Sequence, residues 1–95
     1  MRLVWSPEAR RNLLDIHAHI AAQTSHERAD AVIERIRMAT RGLLTASRLG
    51  RKVQPENSDD FRVTHTRPFW IYYRLRPDEI QVVAVIHYRQ DAQPS

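Results

Sequence analysis

The 95-residue chain is 42% apolar and 27% charged, the balance of one globular domain rather than of a disordered segment. It has no cysteine, which excludes disulfides, thiolate metal sites and thiol nucleophiles, and no apolar run long enough for a signal peptide or a bilayer span, so a reducing cytoplasm is the default expectation. Net charge is +4, with all but one of the 15 basic residues arginine, a bias that fits either a GC-rich coding sequence or recognition of phosphate and carboxylate groups.

Residues 2–5, RLVW, are short and β-prone. Ser6-Pro7-Glu8 reads as a helix start: a serine N-cap, a proline where its missing N–H costs nothing, and a carboxylate near the positive end of the dipole. Ala9, Leu13, Ile16, His17, Ile20 and Ala21 then recur at spacings of three and four, with Arg10, Arg11, Asn12, Asp15 and His19 on the other side and Leu14 at the margin. Thr24 and Glu27 have the capping-box spacing and predict a second helix, with a stripe of Ala29, Val32, Ile33, Ile36, Ala39 or Thr40, Leu43 and Leu44. So short a connection predicts an antiparallel helical hairpin. Gly50 is expected to end the helical region, and RKVQPENSDD, residues 51–60, reads as loop.

From Phe61 the period changes to two. Phe61, Val63 and His65 alternate with Arg62, Thr64 and Thr66, Arg67-Pro68 forms a turn, and FWIYYRL, residues 69–75, is the next strand. Arg76-Pro77-Asp78-Glu79 is a second turn, and Ile80 to His87 the last strand. The fold expectation is an α+β domain of order β-α-α-β-β-β, an antiparallel sheet with the helical hairpin on one face, spanning residues 1–95 with a frayed tail at 91–95. A chain this short buries only roughly 60 to 65% of its unfolded surface, so a partner is expected to add stability.

On the middle strand Phe69, Ile71, Tyr73 and Leu75 form the better core face. Trp70, Tyr72 and Arg74 then fall on the uncovered side, a composition enriched at interfaces, unless the loop of residues 48–60 covers them. Residues 41–76 hold eight basic groups against three acids, Glu56, Asp59 and Asp60, which suits an acidic partner or a polyanion, or else a solvated basic face.

His17-x-His19 is a poor chelator, because helix positions two apart point about 200° from each other. No metal or cofactor is expected. A metal-free ribonuclease needs a base, a phosphorane-stabilising cation and an acid, and His87, Tyr88, Arg89, Arg62 and Glu56 are residue types able to fill those roles. On a continuous strand His87 and Tyr88 face opposite sides, so their convergence requires the strand to end at His87.

The pieces WSPEARRNLLDIHAHIA, ERADAVIERI, LGRKVQPE, RPFWIYYRL and VVAVIHYRQD, in this order over about ninety residues, resemble the RelE/ParE superfamily of type II toxin-antitoxin toxins, and more closely its ParE branch. The resemblance implies a toxin that inhibits DNA gyrase and is neutralised by a cognate, ParD-like antitoxin in a hetero-oligomer, in keeping with plasmid maintenance or stress response. It implies as the alternative a RelE-like, ribosome-dependent mRNA endoribonuclease. In that branch an arginine precedes the small apolar triplet of the middle strand, where this chain has Phe69; the nearest arginine is Arg67, on the turn. Under the nuclease alternative His87 and Tyr88 are the acid and base groups, with Arg62 or Arg67 as cation. Under the ParE-like one the partner-binding residues are Arg62, Arg67, Trp70, Tyr72 and Arg74 on the open sheet face, with His87, Tyr88 and Arg89 at the strand end.

Overall fold

A computed structural model describes residues 1–53 and 60–90. In chain order these form β1 (Arg2–Trp5), α1 (Pro7–Gln23), α2 (His26–Gly42), β2 (Arg51–Lys52), β3 (Asp60–Thr66), β4 (Phe69–Leu75) and β5 (Glu79–His87). The strands make one five-stranded sheet of order β1-β5-β4-β3-β2, and the α1–α2 hairpin packs on one face of it. The sheet is mixed rather than antiparallel. Tight turns force antiparallel pairing among β3, β4 and β5, whereas β1 and β5 are separated by the helical hairpin and three strands, a connection long enough for a parallel pair, and β1 runs parallel to β5 with Leu3 opposite Ile80. Residues 51–60 are not all loop, since Arg51 and Lys52 pair with Val63 and Arg62 as a short edge strand. Glu56, Asp59 and the tail at 91–95 lie outside the described residues.

Ser6 caps α1 as its position predicts: its Oγ accepts from the Ala9 N–H at 3.0 Å and donates to the Val83 carbonyl at 2.9 Å. The second cap lies one residue later than the sequence suggests. Thr24 is consumed in closing α1, where its N–H and hydroxyl both donate to the Ile20 carbonyl, so Ser25 becomes the N-cap of α2 and accepts from the Arg28 N–H. Nor does helix run on to Gly50; α2 ends at Gly42 and residues 43–49 are a series of turns. Asn12, expected to face outward, is half-buried, and its Oδ1 accepts from the Val85 N–H at 2.9 Å.

The main core joins Ala9, Leu13 and Ile36 of the helices to Phe69, Ile71, Val82 and Val85 of the sheet. Leu43, Tyr73 and Ile80 form a second cluster nearer the start of β5. The face of β4 chosen from its alternation is the covered one, with Phe69, Ile71 and Tyr73 buried. Strand β5 does not alternate strictly, because the register slips between Tyr72 and Tyr73 and leaves Val83 as an extra residue. Val82 and Val85 therefore both reach the core.

Tyr73 ties the turns after α2 to the sheet. Fully buried, it donates its hydroxyl to the Ser47 carbonyl at 2.8 Å and accepts the Gly50 N–H at 2.9 Å. Burial, the largest cause, raises its pKa above the ordinary 10.0, partly offset by the Gly50 N–H and the Arg62 charge. Gly50 leaves no room for a side chain, since a Cβ there would sit 2.8 Å from both the Tyr73 hydroxyl and the Val63 carbonyl oxygen.

Two outcomes follow for stability. Gly50→Ala forces Tyr73 and β3 apart and is expected to cost about 1–3 kcal/mol, lowering the melting temperature by about 4–8 °C for each kcal/mol; a thermal melt unchanged from the parent would contradict the close packing. Tyr73→Phe strands the Gly50 N–H and the Ser47 carbonyl and is expected to cost about 1–3 kcal/mol at neutral pH. Because the folded pKa is the higher, the hydroxyl's stabilisation is complete below the ordinary value of 10.0 and is lost as pH rises through the folded value. Melts taken from neutral to alkaline pH should thus fall more steeply for the parent than for Tyr73→Phe, and parallel curves would refute the assignment.

Candidate functional site

With the hairpin on one face, cross-strand pairing dictates what the other face displays. Three rungs cross it: Phe61, Arg74 and Gln81; then Arg51, Val63, Tyr72 and Ala84; then His65, Trp70 and Ile86. Trp70, Tyr72 and Arg74 lie on this face as expected, and each is half-buried. The Arg74 guanidinium sits 5.9 Å from the centre of the Phe61 ring and donates to Gln81 at 3.4 Å, while Phe61 and Tyr72 are 6.2 Å apart. These contacts hold flexible groups in place on a surface that is still half open.

Beyond the end of β5 the Tyr88 N–H bonds to the Pro68 carbonyl, and the Tyr88 ring swings over the open face to lie 4.8 Å from Trp70. Its hydroxyl is 2.7 Å from His65 Nδ1, and His65 and Trp70 are 5.7 Å apart, so three rings support one another. His65 is not among the site residues expected from the sequence. The signal was there: a two-residue turn at Arg67-Pro68 sets Thr66 against Phe69 and hence His65 against Trp70.

Arg62 departs from expectation. Paired with Tyr73, it shares that residue's helix-side face rather than the open one. Its side chain is only 11% exposed, bonds Asp60 at 2.8 Å and donates to the Gly50 carbonyl at 2.8 Å. It holds the turn against β3, and its fork is spent within the fold. Arg67 is exposed at the β3–β4 turn, where its carbonyl accepts from Arg35 at 2.8 Å.

His87 also faces the helices. It pairs with Phe69, meets that ring edge-on at 5.5 Å, and accepts the Arg89 N–H at Nδ1. With the exposed Arg89 it lines a cleft of about 700 Å³ between the hairpin and the sheet end, together with Ile16, Ile20, Val32 and Phe69. The strand does end at His87, as convergence with Tyr88 required, yet the turn carries the two side chains to opposite faces. The structure therefore does not bring His87, Tyr88, Arg62 and Arg67 together around one phosphate. Among the described residues no group of three or more His, Asp or Glu side chains is placed to hold a metal ion, and no helix is long and apolar enough to cross a membrane.

Comparison with known proteins agrees with this architecture. Residues 3–92 match the family model for the ParE toxin of the type II toxin-antitoxin system, parDE. None of the curated proteins compared matches the chain significantly. Among solved structures, a chain of the chromosomal ParDE toxin-antitoxin system from P. aeruginosa superposes with a TM-score of 0.78 at 22% identity, over 92% of this chain and 95% of that one, a likeness of fold. With nearly its whole length accounted for by that model, the chain belongs to the ParE toxin family of type II toxin-antitoxin systems.

Proposed function

We propose that this toxin acts by binding, inhibits DNA gyrase, and is neutralised by a cognate ParD-like antitoxin within a cytoplasmic hetero-oligomer. One observation carries the choice of binding over cutting: His87 and Tyr88, the acid and base of the ribonuclease alternative, lie on opposite faces. General acid–base catalysis needs both groups within hydrogen-bond reach of the reacting atoms. Trp70, Tyr72, Arg74 and Tyr88 have instead the chemistry of protein-interface anchors, large and rigid with a polar handle.

The roles divide by position. Trp70 and Tyr88 are the anchors, Tyr72 and Arg74 extend them, and the exposed Arg67 at the adjoining turn, with Arg89 at the helix-side cleft, adds basic charge that favours encounter with an acidic partner. Arg62 is a positioning residue, since it fixes the turn beside the face without being displayed on it. The antitoxin adds the burial that a 95-residue chain lacks, and its acidic segment complements the basic stretch from 41 to 76. Release from it would free the toxin to arrest growth, which fits plasmid maintenance or a stress response.

The test compares purified toxin in a gyrase supercoiling assay with the same protein added to translating ribosomes. Supercoiling should be lost while message stays intact; cut message with normal supercoiling would overturn the proposal in favour of ribosome-dependent cleavage of mRNA. Trp70→Ala should weaken gyrase inhibition by about 30-fold or more, the loss of a hot spot of about 2 kcal/mol. Arg67→Ala, exposed and away from the core, should weaken it several-fold without altering the melt, so that loss of binding is distinguished from loss of fold.

A further inference from the structure

The edge of the open face, beside the Trp70 anchor, carries a feature that the binding of a protein target does not explain. Strand β2 has only two residues, and its Arg51 sits opposite Val63. The next rung, at His65, has no β2 residue beside it. The chain turns aside through Leu49 and Gly50 and leaves a hollow of about 460 Å³ walled by Leu49, Gly50, Arg51, Val63, His65 and Trp70. That size suits a planar group of a few rings.

Its walls are specific in their chemistry. The exposed His65 ring offers a stacking surface, held by the 2.7 Å bond to Tyr88 and backed by Trp70 at 5.7 Å. Ordering such a ring on binding costs little, because the cluster has already fixed it. Arg51 shares the face of Val63 and is exposed at the mouth, whereas Lys52, paired with Arg62, falls on the other face. Among the described residues Arg51 is not paired with a carboxylate. A hollow with aromatic walls and a free cation at the rim matches one repeating ligand, a base followed by its phosphate.

We propose that this hollow receives an unpaired base of single-stranded nucleic acid, stacked on His65, with Arg51 on the adjoining phosphate. Duplex DNA is a poor occupant, because its bases are stacked and paired. No bond is made or broken at the site. The assignment goes beyond gyrase inhibition and does not depend on it.

The measurement is fluorescence anisotropy of a labelled oligothymidylate titrated with the full-length toxin, competed with an unlabelled duplex of equal length and with thymidine monophosphate. The single strand should bind more tightly than either competitor. His65→Ala should weaken it by about tenfold, as for loss of one stacked base. Arg51→Ala should weaken it several-fold and reduce the slope of log affinity against log salt by about 0.7, the value for one phosphate contact on a single strand. Arg10→Ala, on the outer side of α1, should change neither. Both site residues are exposed, and matching melts would show that the variants fold. Equal affinity for the duplex or for the mononucleotide, an equal loss in Arg10→Ala, or no binding at all would overturn the proposal.

Discussion

Two helices can cover only one side of a five-stranded sheet, and the other features of this toxin follow from that limit. Once Phe69, Ile71 and Tyr73 are committed to the helices, the period of two leaves Trp70, Tyr72 and Arg74 on the far side. Pairing then spreads this division across neighbouring strands, placing Phe61, Val63 and His65 beside them and sending Arg62 to the covered side. One residue's slip in β3 would exchange the two sets. The Tyr73 hydroxyl, bound to Ser47 and Gly50, fixes the approach to β2 and hence the rung at which that strand begins.

The helical layer is attached with the same economy of groups. Strand β5 runs on beyond the point where β1 leaves it at Trp5, so its outer edge would have bare backbone groups there. Ser6 donates to the Val83 carbonyl and Asn12 accepts from the Val85 N–H, both from the first turns of α1. The bulge residue Val83 is itself the first of these anchors, and by resetting the alternation it lets Val85 join Val82 in the core. An apolar run such as VVAVI could otherwise place only every second side chain there.

Elements governed by local periodicity were legible in the sequence. The two amphipathic stripes, the proline turn and the alternation of β4 gave the hairpin, three strands and the covered face of β4. Features that depend on a choice between near-equal local options, or on pairing across the chain, were not. Thr24 and Ser25 are both competent caps, and which one serves α2 depends on which closes α1. Arg62 looks like a surface cation until β3 is set in register with Tyr73. Asn12 looks outward-facing until the Val85 N–H arrives from seventy-three residues away. Arg51 and Lys52 sit among loop-forming residues, and only the edge of β3 makes them a strand. Within the candidate site, Trp70 was visible from alternation alone, whereas its neighbours His65 and Tyr88 required the β3 register and the turn after β5.

The His87-Tyr88-Arg89 stretch shows how a terminal turn decides chemistry that composition leaves open. The imidazole, phenol and guanidinium are consecutive, and as residue types they meet the needs of a metal-free nuclease. Their environments separate them. His87 has Phe69 against its ring and the Arg89 N–H on Nδ1. Tyr88 is shared between Trp70 and His65, so its hydroxyl is engaged on the open face. Each group is held as a fixed surface rather than aimed with its partner at a common atom. Rigid aromatic surfaces of this kind lose little freedom on association, and that favours recognition over proton transfer as the use of this edge.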